Sequence, residues 1–290
     1  MPLVAAAIAP HGFPVIPALG DDVEGEGETR PALAAMGEFF RQQGVEAVVI
    51  AGPHGIRADG FFAVVDAARA AGTLHWKGRQ VELNAPCDRP LIEAISMQAS
   101  DDGLPVARVS FAGNRADQAV VPLDWGALVP LWFLGHDQNE ANTGNVLADP
   151  PSAPGGPPAV LITPSRSLDR KAMVAFGRSI ASAIERDERG VGFIASCDWA
   201  HTHREDGPYG FHEAADRVDA IVVNAIRRNA LMELIELPPE DVEHAAIDGL
   251  WQTLMLAGIQ EVTPFDLQFR SYEAPTYYGM IVATTAVGHD

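Results

Sequence analysis

Apolar residues along this chain gather into short runs separated by longer stretches of mixed polarity. Residues 3–9, 45–51, 159–163 and 191–195 are runs rich in Ala, Val, Ile and Leu, each bounded by turn residues, a pattern that predicts buried strands. Between them the period changes to that of a helix. Residues 31–43 place Leu33, Met36, Phe39 and Phe40 near one face, with Thr29 as the expected cap, Pro31 in the first turn and Gly44 as the stop. Residues 168–186 repeat the pattern with Met173, Phe176, Ile180 and Ile184 behind Ser167, and Gly190 closes that segment. Asp88 is expected to cap a helix over 89–99, and two further helices are expected over 213–228 and 239–257. Shorter strands are read at 61–65, 80–83, 106–111 and 119–122, with a closing strand over 276–284. Strands alternating with long helices predict an α/β fold: a central, largely parallel or mixed sheet with helices on both faces. The Pro/Gly-rich stretch 138–158 reads as a surface loop inside one domain spanning 1–290, because the same αβ texture continues on either side of it.

Composition narrows the classes. The chain has 290 residues, 47% of them hydrophobic, enough for a sizeable core. Its 20 basic and 39 acidic residues leave a net charge of −19, which argues against nucleic acid or an anionic membrane as partner, since phosphate binding needs clustered Lys and Arg. The acid-rich 21–28 run reads as solvated loop. Two cysteines far apart, Cys87 and Cys197, make no disulfide framework, so a reducing cytoplasm is the expected compartment. The apolar start has no basic region ahead of it and breaks at Pro10, so it is expected to be a strand and not a signal peptide. No apolar run approaches the roughly 20 residues of a membrane span.

The chemistry gathers where strands end. Two strands run into Pro10-His11-Gly12 and Pro53-His54-Gly55, and a third into Ser196-Cys197-Asp198-Trp199-Ala200-His201-Thr202-His203. In α/β sheets the carboxyl edge is where ligands bind, and parallel neighbours would bring these ends together. Two imidazoles and a carboxylate make a facial site suited to Fe(II) or Zn(II), with positions left open for a substrate. The alternative reading, three separate turn histidines, uses the same residues. Cys197 follows a buried run with no basic neighbour and reads as a small core residue rather than a nucleophile.

The ordered set Ile8-Ala9-Pro10-His11-Gly12, Ile50-Ala51-Gly52-Pro53-His54-Gly55, Leu123-Asp124-Trp125-Gly126 with Val129-Pro130-Leu131, and Ser196-Cys197-Asp198-Trp199-Ala200-His201 resembles the class III (LigB-type) extradiol ring-cleavage dioxygenases, whose superfamily includes the Memo proteins. The resemblance implies that His11 and His54 bind a non-haem Fe(II), and that Asp248, on a late helix, completes the ligand set, with Glu243 and His244 as the other candidates. It implies that His201 is the acid/base histidine with Asp198 orienting it or lining the site. An imidazole titrating near neutrality suits that two-way role. Substrate contacts are expected from Trp125, His203 and Tyr209. The implied reaction opens a catecholic ring beside its diol with O₂.

The partners expected are a small aromatic diol and O₂, a second copy of the chain in a homo-oligomer and, as in some members, a small accessory subunit. Two departures stand out: an Asp where the family usually has Glu, and Trp125 where it commonly has a histidine. Indole can only donate a hydrogen bond, so either another group, such as His136 or His203, serves instead or the substrate differs. These departures keep two alternatives open: a Memo-like metal-binding or accessory protein without ring cleavage, and a zinc hydrolase built on the same residues.

Overall fold

The computed structural model describes residues 2–20, 27–112, 114–139, 147 and 155–286. In chain order its elements are β1 (Leu3–Ala9), α1 (Thr29–Gln42), β2 (Ala47–Ala51), β3 (Phe62–Val65), β4 (Arg69–Trp76), β5 (Arg79–Pro86), α2 (Arg89–Asp101), β6 (Val106–Val109), β7 (Val120–Pro122), α3 (Trp125–Phe133), β8 (Ala159–Pro164), α4 (Arg170–Ile184), β9 (Val191–Ser196), α5 (Ala214–Arg227), α6 (Pro239–His244), α7 (Leu250–Val262), β10 (Leu267–Glu273) and β11 (Met280–Thr285). Much of the 138–158 loop and of the 21–28 run lies outside the described residues.

Eight strands form one mixed sheet in the order β10-β11-β1-β9-β2-β8-β3-β6, flanked by helices, so the fold is α/β. The four apolar runs are its centre. β1, β9, β2 and β8 are parallel neighbours, with Ala9 opposite Ser196 and Ala51 opposite both Ala195 and Ile162. These strands are buried on both faces, which is why they read as continuous apolar runs. Successive side chains feed opposite layers. Ala6, Ile8, Val49 and Phe193 pack against Leu91 and Ile95 of α2, Phe176 and Ile180 of α4, Val222 of α5 and Met255 of α7. Ala5, Ala7, Val48, Ile50 and Ile194 pack against Met36 and Phe40 of α1, Leu128 and Leu131 of α3, and Leu74 and Leu83 of a small second sheet, β5-β4-β7.

Several expectations need correction. Thr29 does not cap α1: its N–H and hydroxyl both donate to Glu273 of β10, at 2.8 and 2.6 Å, so a distant carboxylate takes the capping role. Asp169 and not Ser167 caps α4, accepting from Ala172 N at 2.7 Å. Asp88 does cap α2, accepting from Leu91 N at 3.1 Å. β4 and β10 were not read in the sequence. Arg69-Ala70-Ala71-Gly72 offers no alternation, and β4 is secured by pairing with β5 across a turn at Lys77 and Gly78, whose φ values are 48° and 80°. β10 is an edge strand defined by its antiparallel partner β11. The closing strand begins at Met280, leaving Thr276, Tyr277 and Tyr278 in the loop before it.

The expected helix over 239–257 is two helices. α6 stops at His244, Ala246 takes a positive φ of 48°, and α7 starts at Leu250. Asp248 therefore lies in the break and not on a helix face. Gly249 allows the break to press inward. A Cβ there would sit 2.9 Å from Cys197 Cβ and 3.0 Å from Trp199 Cε2.

Candidate metal centre

The parallel order decides which side chains meet. β9 is inserted between β1 and β2, so the loops leaving these strands open side by side at the carboxyl edge. His11 follows β1 by two residues, His54 follows β2 by three, and Asp198 and His201 follow β9 by two and five. The 245–249 break carries Asp248 in from the far layer. One ligand atom from each of His11, His54 and Asp248 lies within 4.8 Å of the others. Asp248 Oδ2 is the hub: it is 3.6 Å from His11 Nε2, 3.8 Å from His54 Nε2 and 3.8 Å from His201 Nε2. Asp198 Oδ2 approaches His11 Nε2 at 3.5 Å, and its Oδ1 accepts from the His11 backbone N–H at 3.1 Å.

The tautomer of His11 follows from a relay that begins in α3. Pro130 has no N–H, so the carbonyl of Gly126, four residues earlier, loses its intrahelical donor. The Ser196 hydroxyl donates to that carbonyl. Having spent its hydrogen, the Ser196 oxygen accepts from His11 Nδ1–H at 3.1 Å. In the neutral ring Nε2 of His11 then carries the lone pair, facing the two carboxylates, and it is the atom that takes up a second proton. His201 is set the same way: Nδ1–H donates to the Trp199 carbonyl at 2.8 Å, leaving Nε2 toward Asp248. Hydrogen bonds of this kind behind a ring fix both the orientation and the nitrogen available to a cation.

The electrostatics ask for positive charge at the centre. Burial pulls the His11 pKa down, but Asp198 and Asp248 outweigh it and raise it to about 9. Burial, aided by the positive His11, takes His54 down to about 3. Burial lifts the Asp198 carboxyl, with Asp248 adding to the rise and His11 opposing it. Burial acts on Asp248 too, but hydrogen bonding and charge from His11, with His201 and His54, hold it below the carboxylate range. Asp248 Oδ1 is buried with no hydrogen-bond partner among the described residues. A buried carboxylate oxygen without a donor is costly. A divalent cation among His11 Nε2, His54 Nε2 and Asp248 would satisfy it and replace the proton that His11 otherwise holds, so the donor set fits a metal.

A cavity of about 660 Å³ opens over the cluster, with Phe13, Trp76, Trp125, Trp251, Tyr277 and Tyr278 in its walls. Trp125, at the start of α3, lies over the His54 ring with centroids 4.1 Å apart. Tyr209 sits at the mouth, 5.7 Å from the His201 ring. His203 is not brought into the cavity: Nε2 pairs with the buried Asp219 at 2.9 Å and Nδ1 with Asp216 at 3.3 Å. His136 is buried elsewhere, between Pro157 O and Asn139 Nδ2. Neither takes the place of a histidine at position 125. Glu243 lines the cavity, whereas His244 stacks on His212, so of the late candidates it is Asp248 that joins the two histidines. Cys197 is buried, and burial pushes its thiol well above the usual range. Sequence reasoning missed Ser196 as a supporting group, along with Arg166, Trp251, Tyr277 and Tyr278. Arg166 follows β8 by two residues, so the strand-end argument that found the histidines would have found it too.

A mixed-sheet α/β protein with a His/His/Asp cluster at the carboxyl edge of its parallel central strands is the class that fold and site define. The chain belongs to the family of catalytic LigB subunits of aromatic ring-opening dioxygenases, whose model matches residues 5–283. It is 24% identical over 268 residues to Protein CA_C1420 of Clostridium acetobutylicum, across 92% of this chain and 54% of that protein, so it spans about half that relative's length. Its fold is similar to the crystal structure of the uncharacterized protein JW3007 from Escherichia coli K12, with a TM-score of 0.59 at 14% identity, covering 98% of this chain and 100% of that one. No helix among the described residues is long and apolar enough to cross a membrane.

Proposed function

We propose that this protein is an Fe(II)-dependent extradiol dioxygenase that opens a catecholic ring beside its diol, using O₂ as co-substrate. The observation that supports it best is the shared hub. Asp248 Oδ2 faces His11 and His54 on one side and the lone-pair nitrogen of His201 on another, under a cavity walled by aromatic rings. His11, His54 and Asp248 would hold the iron, which supplies the redox path that joins the diol to O₂. Trp125, Tyr277 and Tyr278 would hold a flat ring over the cluster and exclude water from it. His201 Nε2 would accept a proton from a diol hydroxyl and return it later, while its Nδ1–H stays on the Trp199 carbonyl and stops the ring from turning. Asp198 would keep His11 in place through the backbone N–H.

The test is anaerobic purification followed by metal analysis and oxygen uptake over a catechol panel. The expected result is about one Fe(II) per chain, with uptake and yellow ring-opened products that depend on the iron. Stoichiometric zinc with no uptake on any catechol would overturn the proposal in favour of a hydrolase or a non-cleaving metal protein.

A further inference from the structure

Asp219, on α5, is fully buried, and its carboxylate collects three donors. Oδ2 accepts from His203 Nε2–H at 2.9 Å and from the Tyr272 hydroxyl at 3.0 Å. Oδ1 accepts from the Ala200 N–H at 3.0 Å. Gly279 leaves the space for this group, since a Cβ there would run into Asp219 Oδ2. A carboxylate is costly to bury, and the two donors on Oδ2 anchor it. The bond at Oδ1 reaches further. The Ala200 N–H and the Trp199 carbonyl are the two ends of one peptide group, and that carbonyl accepts from His201 Nδ1–H at 2.8 Å. A trans peptide is planar, with its N–H and C=O pointing in opposite directions. Holding the N–H on Asp219 therefore fixes where the carbonyl points, and bonds at the two ends of a peptide strengthen each other. Other backbone bonds place the chain: Trp199 N–H to Gly279 O at 2.8 Å, Gly279 N–H to Ala200 O at 2.9 Å and His201 N–H to Ala245 O at 2.7 Å. The turn of the 199–200 peptide about that chain is set at its N–H, by Asp219.

We infer that Asp219 is a positioning residue for His201: across the 199–200 peptide it keeps the Nδ1 proton on the Trp199 carbonyl and so aims Nε2 into the cavity. That the ring so aimed moves protons during ring opening rests on the function proposed above; its orientation does not.

Nitrogen-15 NMR of the histidine rings, at a pH where His201 is neutral, reads its tautomer in metal-free and Zn(II)-loaded protein, with His201→Gln identifying the signal. The wild type should hold one tautomer, with the proton on Nδ1, in both forms. Asp219→Ala should let the ring populate both tautomers. Asp219→Asn, whose amide oxygen still accepts from the Ala200 N–H, should keep one. On a catechol that the wild type turns over, Asp219→Ala should lower kcat about 10- to 100-fold while KM and metal content hold, and Asp219→Asn should recover most of the rate. Tyr272→Phe takes a donor from Oδ2 alone; it should cost stability and leave tautomer and kcat unchanged. If Asp219→Ala does not fold, Asp219→Leu/His203→Leu/Tyr272→Phe is read in its place. That variant removes the carboxylate with both side-chain donors, an exchange that is close to neutral for stability when both partners go, and leaves the Ala200 N–H unpaired. A wild-type proton on Nε2, a tautomer unchanged once the carboxylate is gone, or an equal loss in Tyr272→Phe would overturn the inference. If no catechol supports oxygen uptake but the tautomer depends on Asp219, the dioxygenase reading fails while the positioning of His201 stands.

Discussion

Removing the Ser196 hydroxyl should loosen the metal without touching a ligand. In Ser196→Ala two buried groups lose their partners: His11 Nδ1–H and the Gly126 carbonyl that Pro130 cannot serve. Each buried group left unpaired costs about 1–3 kcal/mol, so stability should fall by about 2–4 kcal/mol if the backbone relaxes in part. The metal should feel a separate effect. Without an acceptor at Nδ1, the His11 proton is better placed on Nε2, where Asp198 and Asp248 lie 3.5 and 3.6 Å away. In the wild type the ring that has given up this proton keeps its other one on Nδ1 and offers Nε2 to a metal, whereas the neutral ring of the variant favours the tautomer that blocks Nε2. Losses of supporting hydrogen bonds behind a ligand typically cost about 10- to 100-fold in affinity. The assay is anaerobic competition against a chromophoric chelator, run with Fe(II) and Zn(II), alongside urea unfolding of the metal-free protein. Thr202→Val is the control: it also removes a side-chain hydrogen bond, to the His244 carbonyl at 3.1 Å, but touches no ligand. Wild-type metal affinity in a folded Ser196→Ala protein, or an equal loss in Thr202→Val, would refute the relay.

Three other outcomes follow from the geometry. Gly249→Ala, with its Cβ forced to 2.9 Å from Cys197 Cβ, should destabilise by about 1–3 kcal/mol in urea titration and weaken metal binding as the Asp248 segment is pushed out. His201→Gln should keep the metal, by elemental analysis, and lose about 10²- to 10⁴-fold in turnover, the usual contribution of a positioned acid/base group. The third concerns pH. His136 is buried, and its pKa is lowered to about 4, chiefly by burial; Nε2–H donates to Pro157 O at 3.0 Å and Nδ1 accepts from Asn139 Nδ2 at 3.0 Å, so a second ring proton would face a donor. The unfolded imidazole takes its proton near 6.5, so His136 contributes its stability fully above that pH. The contribution drains away as pH falls toward about 4, by about 3 kcal/mol in all. Urea unfolding across this window should show the loss, and His136→Gln should flatten that part of the profile; a slope unchanged by the substitution would refute it.

The four central strands were legible because burial on both faces leaves an unmistakable apolar run, and because a Pro-His-Gly exit marks each of two strand ends. Helix starts were less so. Asp88 competed with nothing, whereas Thr29 and Ser167 look like caps but spend their hydroxyls on Glu273 and Asp59. The late helix was misread for a related reason. The periodicity of α6 and α7 is continuous enough to suggest one segment, and the break at 245–249 depends on Gly249 fitting against Cys197 and Trp199, which are about fifty residues away in sequence.

By itself the sequence determined the chemistry on offer: two strand-end histidines, Asp198 and His201 after a third strand, and an Asp within an expected late helix. Those depend on residue type and local pattern, which short-range sterics and burial dictate. Only the tertiary structure decided how they are used. Inserting β9 between β1 and β2 brings the three loops together, and the packed break carries Asp248 to the centre. Pro130 in α3, through Gly126 and Ser196, chooses the nitrogen His11 presents, while Asp219 draws His203 out of the cavity. Each of these is a contact between segments far apart in the chain, set by which surfaces bury each other and which buried donors find acceptors, and no local pattern carries that information.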